Sequence, residues 1–95
     1  MIVRIVKMTF QKDQCSQFQT LFHQSKATIL KMEGCRYLEL LQDVDQPHVF
    51  ITYSHWETEA DLNAYRKSDF FRTLWPQTKI LFLAPPVTNT LIREE

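Results

Sequence analysis

Tyr53-Ser54-His55-Trp56-Glu57-Thr58-Glu59-Ala60-Asp61-Leu62, continued by Tyr65-Arg66-Lys67-Ser68, is the stretch on which the reading of this chain turns. Its first residues end a run of β-branched and aromatic side chains that begins at His48, the composition of a strand. Thr58 followed by Asp61 approximates a capping box: the threonine oxygen takes an orphan amide, and the carboxylate favours the positive helix end. A strand therefore runs straight into a capped helix over about 59–67, with an indole at the corner.

Upstream, Asp43-Val44-Asp45-Gln46-Pro47 has turn composition, and Cys35 to Gln42 reads as the strand that pairs with 48–56 in an antiparallel hairpin. Gly34, the single glycine, is expected in the left-handed C′ position that ends a helix. That helix is predicted from about Lys12 to Met32, where Cys15, Phe18, Phe22, Ser25, Ile29 and Met32 recur at three and four and Leu21 widens the stripe. Ile2 to Phe10 is apolar or β-branched at most positions, a first strand covered on both faces. Downstream, Ser68 can cap a further helix with Phe71, Leu74, Trp75, Thr78, Leu81 and Phe82 on one face, which Pro76 should kink or split. Pro85-Pro86 ends it, and Val87 to Arg93 makes a last strand.

The order strand, helix, strand, strand, helix, helix, strand predicts a single α+β domain over 1–95, ferredoxin-like, with helices on one face of a mostly antiparallel four-stranded sheet. A chain of 95 residues buries only about two-thirds of its unfolded surface. Strand one is apolar on both sides, with Ile2, Val6, Met8 and Phe10 on one and Val3 and Ile5 on the other, so the sheet's open face predicts a homodimer.

Eleven basic against 11 acidic side chains leave no net field for nucleic acid or anionic lipid, and no apolar run suits a signal core or membrane span. The expectation is a cytoplasmic protein with no nucleic-acid or membrane partner, in which Cys15 and Cys35 are reduced, buried small hydrophobes. One glycine excludes phosphate-cradling loops, and no Gly-x-Ser-x-Gly or Cys/His arrangement suggests hydrolysis. His23 and His48 share no metal-ligand spacing with each other or with His55, so no metal is expected.

The order of elements, the Gly34-Cys35 pair, the Thr52-to-Leu62 corner and Ser68-Asp69-Phe70-Phe71 together resemble the antibiotic biosynthesis monooxygenase (ABM) family over nearly the whole chain. The resemblance implies a dimeric α/β barrel, each protomer keeping a cleft between sheet and helices. Activities in that family include cofactor-free oxygenation of phenolic polyketides and quinols, and oxidative haem breakdown. Trp56 matches the cleft tryptophan of the polyketide oxygenases, whereas Thr52 stands where they carry an asparagine and Leu62 where they carry a tyrosine. The positions matching the functional residues of haem-degrading members are Val6, Tyr65 and Trp75, and Trp75, at the place of their iron-binding histidine, leaves no ligand there, so no cofactor is expected.

Cofactor-free oxygenation requires a base to ionise an electron-rich phenol or enol inside an apolar cavity that excludes water. Phe18, Phe22, Trp56, Tyr65, Phe71 and Trp75 lie on elements that could border such a cleft. With Thr52 and Ser54 they form the expected site for a small hydrophobic or aromatic molecule, with Trp56 as the catalytic candidate. His55 is the base that imidazole chemistry suggests, but alternation turns it away from Trp56, toward the dimer face with Tyr53 and Ile51, which favours an interface role. Glu39 is expected on that sheet interface beside Tyr37 and Cys35, seeking Arg4, Arg36 or a tyrosine hydroxyl. Arg66 and Arg72 are candidates to hold a substrate carboxylate at the cleft mouth. Two readings stand: a small dimeric monooxygenase, and a binding or structural dimer of the same fold.

Overall fold

β1 (Ile2–Thr9), α1 (Cys15–Leu30), β2 (Cys35–Gln42), β3 (Val49–Trp56), α2 (Glu59–Lys67), α3 (Asp69–Lys79) and β4 (Val87–Ile92) follow one another in the order expected. The structure, a computed structural model, describes residues 1–95. The strands form one antiparallel sheet in the order β2-β3-β1-β4. This is the ferredoxin-like α+β arrangement, and no helix is long and apolar enough to cross a membrane.

Strand alternation sorts the sheet into two faces. Met8 opposes Phe50, Val6 opposes Thr52, and Leu38 opposes Ser54 on the side that the helices cover. The core lies there. Phe10, with no exposed surface, stacks on Phe18 at 4.1 Å between ring centroids and meets Phe50 at 6.0 Å and Phe82 at 5.2 Å. Phe10 lies just past β1 and forms an isolated bridge to Phe82, while Leu83 N–H donates to the Thr9 carbonyl and Gln11 N–H to that of Leu81. The segment after α3 is thereby fastened to the end of β1.

Local chemistry explains the joints. Thr58 Oγ1 accepts from Asp61 N–H at 3.1 Å and starts α2. Ser68 serves twice: its hydroxyl donates to the Tyr65 carbonyl at 2.6 Å as α2 ends and accepts from Phe71 N–H at 3.2 Å as α3 begins. Asp43 Oδ1 accepts from the amides of Asp45 and Gln46, which shapes the hairpin turn and holds the Asp43 carboxyl below its ordinary pKa.

Three expectations are corrected. α1 ends at Leu30, with Lys31 as a right-handed C-cap, so Gly34 is not its C′ residue. Gly34 instead has φ +82° in the turn that leads into β2, and its carbonyl accepts from Glu57 N–H at 2.8 Å. Of the kink or split expected at Pro76, the split does not occur, and α3 runs through it as one helix. Both Pro76 and Arg72, whose carbonyl loses its usual donor, lie on the exposed side where water can replace the bond. Cys35 does not share a face with Tyr37 and Glu39, because a register shift between Cys35 and Tyr37 returns Cys35 to the core opposite Trp56.

A methyl group at position 34 would lie within 2.5 Å of three atoms of the Asp61 side chain, on a backbone that L-residues avoid. Gly34→Ala is therefore expected to destabilise the fold by about 2–4 kcal/mol. In urea denaturation, adding Asp61→Ala should recover only part of the overlap cost, because the Cβ of residue 61 stays 2.5 Å from the new methyl group, and should leave the conformational part.

Candidate active site

The sheet face under α2 and α3 does not close completely: it leaves a cavity of about 260 Å³, mostly apolar in its lining. Val6, Met8, Leu38, Thr52 and Ser54 form its floor with Trp56. α1 contributes a wall through Phe18, Phe22 and Ile29, and the roof carries Leu62, Tyr65, Phe71, Leu74 and Trp75. The volume lies just below the about 300–1,000 Å³ of typical small-molecule pockets, so a compact ligand of roughly two or three fused rings sets the scale.

Trp56 is 1% exposed and stacks on Tyr65 with centroids 5.1 Å apart and planes 23° apart. Tyr65 meets Phe71 edge-on at 5.1 Å, and Phe71 stacks on Trp75 at 5.7 Å. A continuous aromatic row thus borders the cavity. The indole is fixed in its plane because Trp56 Nε1–H donates to Ser54 Oγ at 3.0 Å, and the Ser54 hydroxyl in turn reaches the Arg4 carbonyl at 3.5 Å.

Counting hydrogen bonds separates polar groups already engaged from those free to meet a ligand. Ser25 donates to the Leu21 carbonyl and Thr78 to that of Leu74, while Ser54 holds the indole. Ser54 is thus a positioning group for Trp56. Thr52, Thr88 and the Tyr65 hydroxyl make no side-chain hydrogen bond within the protein and are available to a guest.

Burial, with a smaller contribution from Cys35, raises the Tyr65 pKa well above the ordinary phenol value, so Tyr65 stays neutral and able to donate at any physiological pH. The sign for stability follows from a folded-state pKa above the unfolded one. Tyr65's contribution is fully present below the unfolded value of about 10 and is lost as pH rises toward the higher folded value. Stability measured by urea denaturation should fall above about pH 10, less steeply in Tyr65→Phe.

The aromatic and hydroxyl candidates Phe18, Phe22, Thr52, Ser54, Trp56, Tyr65, Phe71 and Trp75 come together at this cavity. His55 does not. It lies on the opposite face, its Nε2 2.9 Å from the Tyr53 hydroxyl and its ring 5.3 Å from that of Tyr37. Glu39 is also there and accepts from the Tyr37 hydroxyl at 2.7 Å, a bond that raises the Tyr37 pKa. Arg36 pairs with Glu57 instead, in the chain's one salt bridge.

Arg66 borders the cavity and Arg72 does not, while Arg4 lines it without having been singled out as a site residue. Its signal was parity: Arg4 shares the face of Val6 and Met8, opposite Glu39. No carboxylate, imidazole or thiol is among the residues lining the cavity, and no three His, Cys, Asp or Glu side chains gather as metal ligands.

Residues 1–74 match the family model described as antibiotic biosynthesis monooxygenase, ABM. The chain belongs to this family. No curated protein matches it. Among solved structures, a conserved protein from Methanosarcina mazei Go1 superposes with TM-score 0.92 at 21% identity, covering 99% of this chain and 94% of that one. A Nitrosomonas europaea protein bearing the ABM name gives 0.92 at 19% over the full length of both chains. A Mycobacterium tuberculosis protein gives 0.91 at 17%, covering 99% and 95%. At such identities the likeness establishes the fold.

Within the ABM frame, Val6, Tyr65 and Trp75 all border the cavity, and none carries an imidazole. These residues do not fit a haem held by histidine. Tyr65 lies three residues after Leu62 on the same helix, and both line the cavity, so a hydroxyl stands one turn beyond the position where the polyketide oxygenases carry theirs.

Proposed function

We propose that the chain is a cofactor-independent monooxygenase for a small aromatic, polyketide-like or quinol substrate, bound between sheet and helices. The observation that carries this reading is the cavity beside Trp56, lined by fixed aromatic side chains with only a few free polar groups. The ionised substrate passes an electron to dioxygen, the two radicals combine at a ring carbon, and the resulting hydroperoxide loses water to leave a carbonyl. One oxygen atom enters the product, the other leaves as water, and the substrate supplies all four electrons.

The protein's part is orientation and exclusion of water. Trp56 and Tyr65 set the plane in which rings can enter, while the Tyr65 and Thr52 hydroxyls can donate to the developing carbonyl. With His55 on the other face, the substrate's proton goes to cavity water. The test is dioxygen uptake by the native chain across a panel of quinols and hydroxyanthracenoids. Uptake matched by a product that carries one atom of labelled dioxygen, with no hydrogen peroxide released, supports the proposal, and a panel without such turnover defeats it. The absence of a carboxylate or imidazole in the cavity favours a second reading, a non-catalytic dimer that binds the same ligands, which such a panel would leave in place if ligands bind unchanged.

The homodimer belongs to this proposal, in a cytoplasmic setting where the two cysteines stay as thiols. Val3, Ile5, Ile51, Tyr53 and His55 share the face that no helix covers, alongside Tyr37, Leu41 and Leu91, each more than 40% exposed. A second copy laid on this face would form a barrel of two sheets. Sedimentation should show a dimer for the native chain, and Ile5→Asp should give a folded monomer by circular dichroism. A monomeric native chain would refute the assembly.

A further inference from the structure

Arg4 and Arg66 both line one cavity, and no acidic side chain is among its lining residues. Arg4 is half-buried in the middle of β1, where the neighbouring positions of the same face, Ile2 and Val6, are apolar. Its Nη1 donates to Thr90 Oγ1, a neutral acceptor, which leaves the charge uncompensated. Arg66 comes from the last turn of α2. A helix C-terminus favours such a cation in general, but that does not account for a second cation in the floor. Burial, and then repulsion from Arg66, both lower the Arg4 pKa, as expected of two like charges at one cavity. Partly desolvating a cation beside a like charge costs free energy, which a bound anion would return.

We infer that Arg4 and Arg66 form an anion subsite of the cavity, and that the ligand is an aromatic compound whose rings lie against Trp56 and Tyr65 while a carboxylate or ionised ring oxygen engages the two guanidiniums. Guanidinium forks suit a planar carboxylate, which both arginines can engage with charge-assisted bonds. Thr88 and Thr90, on the β4 edge beside Arg4 and Val6, place hydroxyls on this same face. The inference rests on the cavity being the ligand site.

Calorimetric titration of the full chain with 1-hydroxy-2-naphthoate and with 1-naphthol tests it without relying on turnover. The carboxylate is expected to bind at least about tenfold more tightly than neutral naphthol. Arg4→Gln and Arg66→Gln should each remove most of that difference while leaving naphthol affinity unchanged, Arg4→Lys should restore part of it, and Arg72→Gln should alter neither. Repeating the naphthol titration above its own pKa separates the two anion sources: tightening on ionisation assigns the subsite to ring oxygens as well, and no tightening restricts it to carboxylates. Equal affinity for the acid and neutral naphthol, or an unchanged acid affinity in both glutamine variants, overturns the subsite and leaves the cavity reading intact. No binding of either compound removes both.

Discussion

Trp56→Phe is expected to lower the rate of dioxygen uptake on any substrate the cavity turns over by about 10²-fold, the scale of effect that follows from misplacing a reacting ring by an ångström. The argument lies in how the indole is held. Its N–H is tied to Ser54, its face is covered by Tyr65 at 5.1 Å, and it is 1% exposed, so it acts as a rigid reference surface. Phenylalanine keeps the hydrophobic character but loses the tether and part of the surface, and Ser54 Oγ loses the donor it accepts from. Single-turnover kinetics with saturating substrate should assign the loss to the chemical step, with substrate affinity changed much less. A rate within about twofold of the native chain would remove Trp56 from the proposed mechanism.

Phe10→Ala is expected to cost about 3–5 kcal/mol in urea denaturation, the largest effect on stability of the substitutions considered. Phe10 has no exposed surface and touches three other rings, those of Phe18, Phe50 and Phe82, each from a different element or connecting segment. Truncation opens a void where the sheet, α1 and the segment after α3 meet. Phe10→Leu, which refills most of the volume, should recover more than half of the loss. A cost below about 1 kcal/mol would mean that the surrounding rings collapse into the gap.

Much of this architecture could be read from the chain because local signals and global packing agree. Thr58 and Ser68 mark the helix starts where they are observed, the span Glu59–Lys67 matches its expected bounds, and strand alternation alone places Trp56, Ser54 and Thr52 on one face and His55 on the other. What escaped depends on tertiary distances. Gly34 looks like a helix cap until the position of Asp61 shows why a side chain is excluded there. Pro76 looks like a breaker because the sequence does not say that the lost bond lies on the solvent side. The bulge at Arg36 shifts parity by one, which periodicity cannot register, and so separates Cys35 from Tyr37.

Arg4 illustrates the same limit at the site. A single charge among apolar strand residues looks like one of several partners for a nearby acid such as Glu39, alongside Arg36 and a tyrosine hydroxyl. Whether its face is packed solid or left hollow depends on how far α2 and α3 stand off the sheet, a property of the assembled layers. Ser54, by contrast, belongs where it was expected, but its hydroxyl is engaged with the indole.

The double role of Ser68 bears on how the cover over the cavity is held together. The covering arm is pinned to the sheet at one end through Glu57 and Gly34, and at the other through Leu83 and Thr9, with one serine hydroxyl serving as its elbow. An arm fastened at both extremities hinges on that one hydroxyl, so Ser68→Ala removes the end bond of one helix and the starting cap of the next in a single substitution.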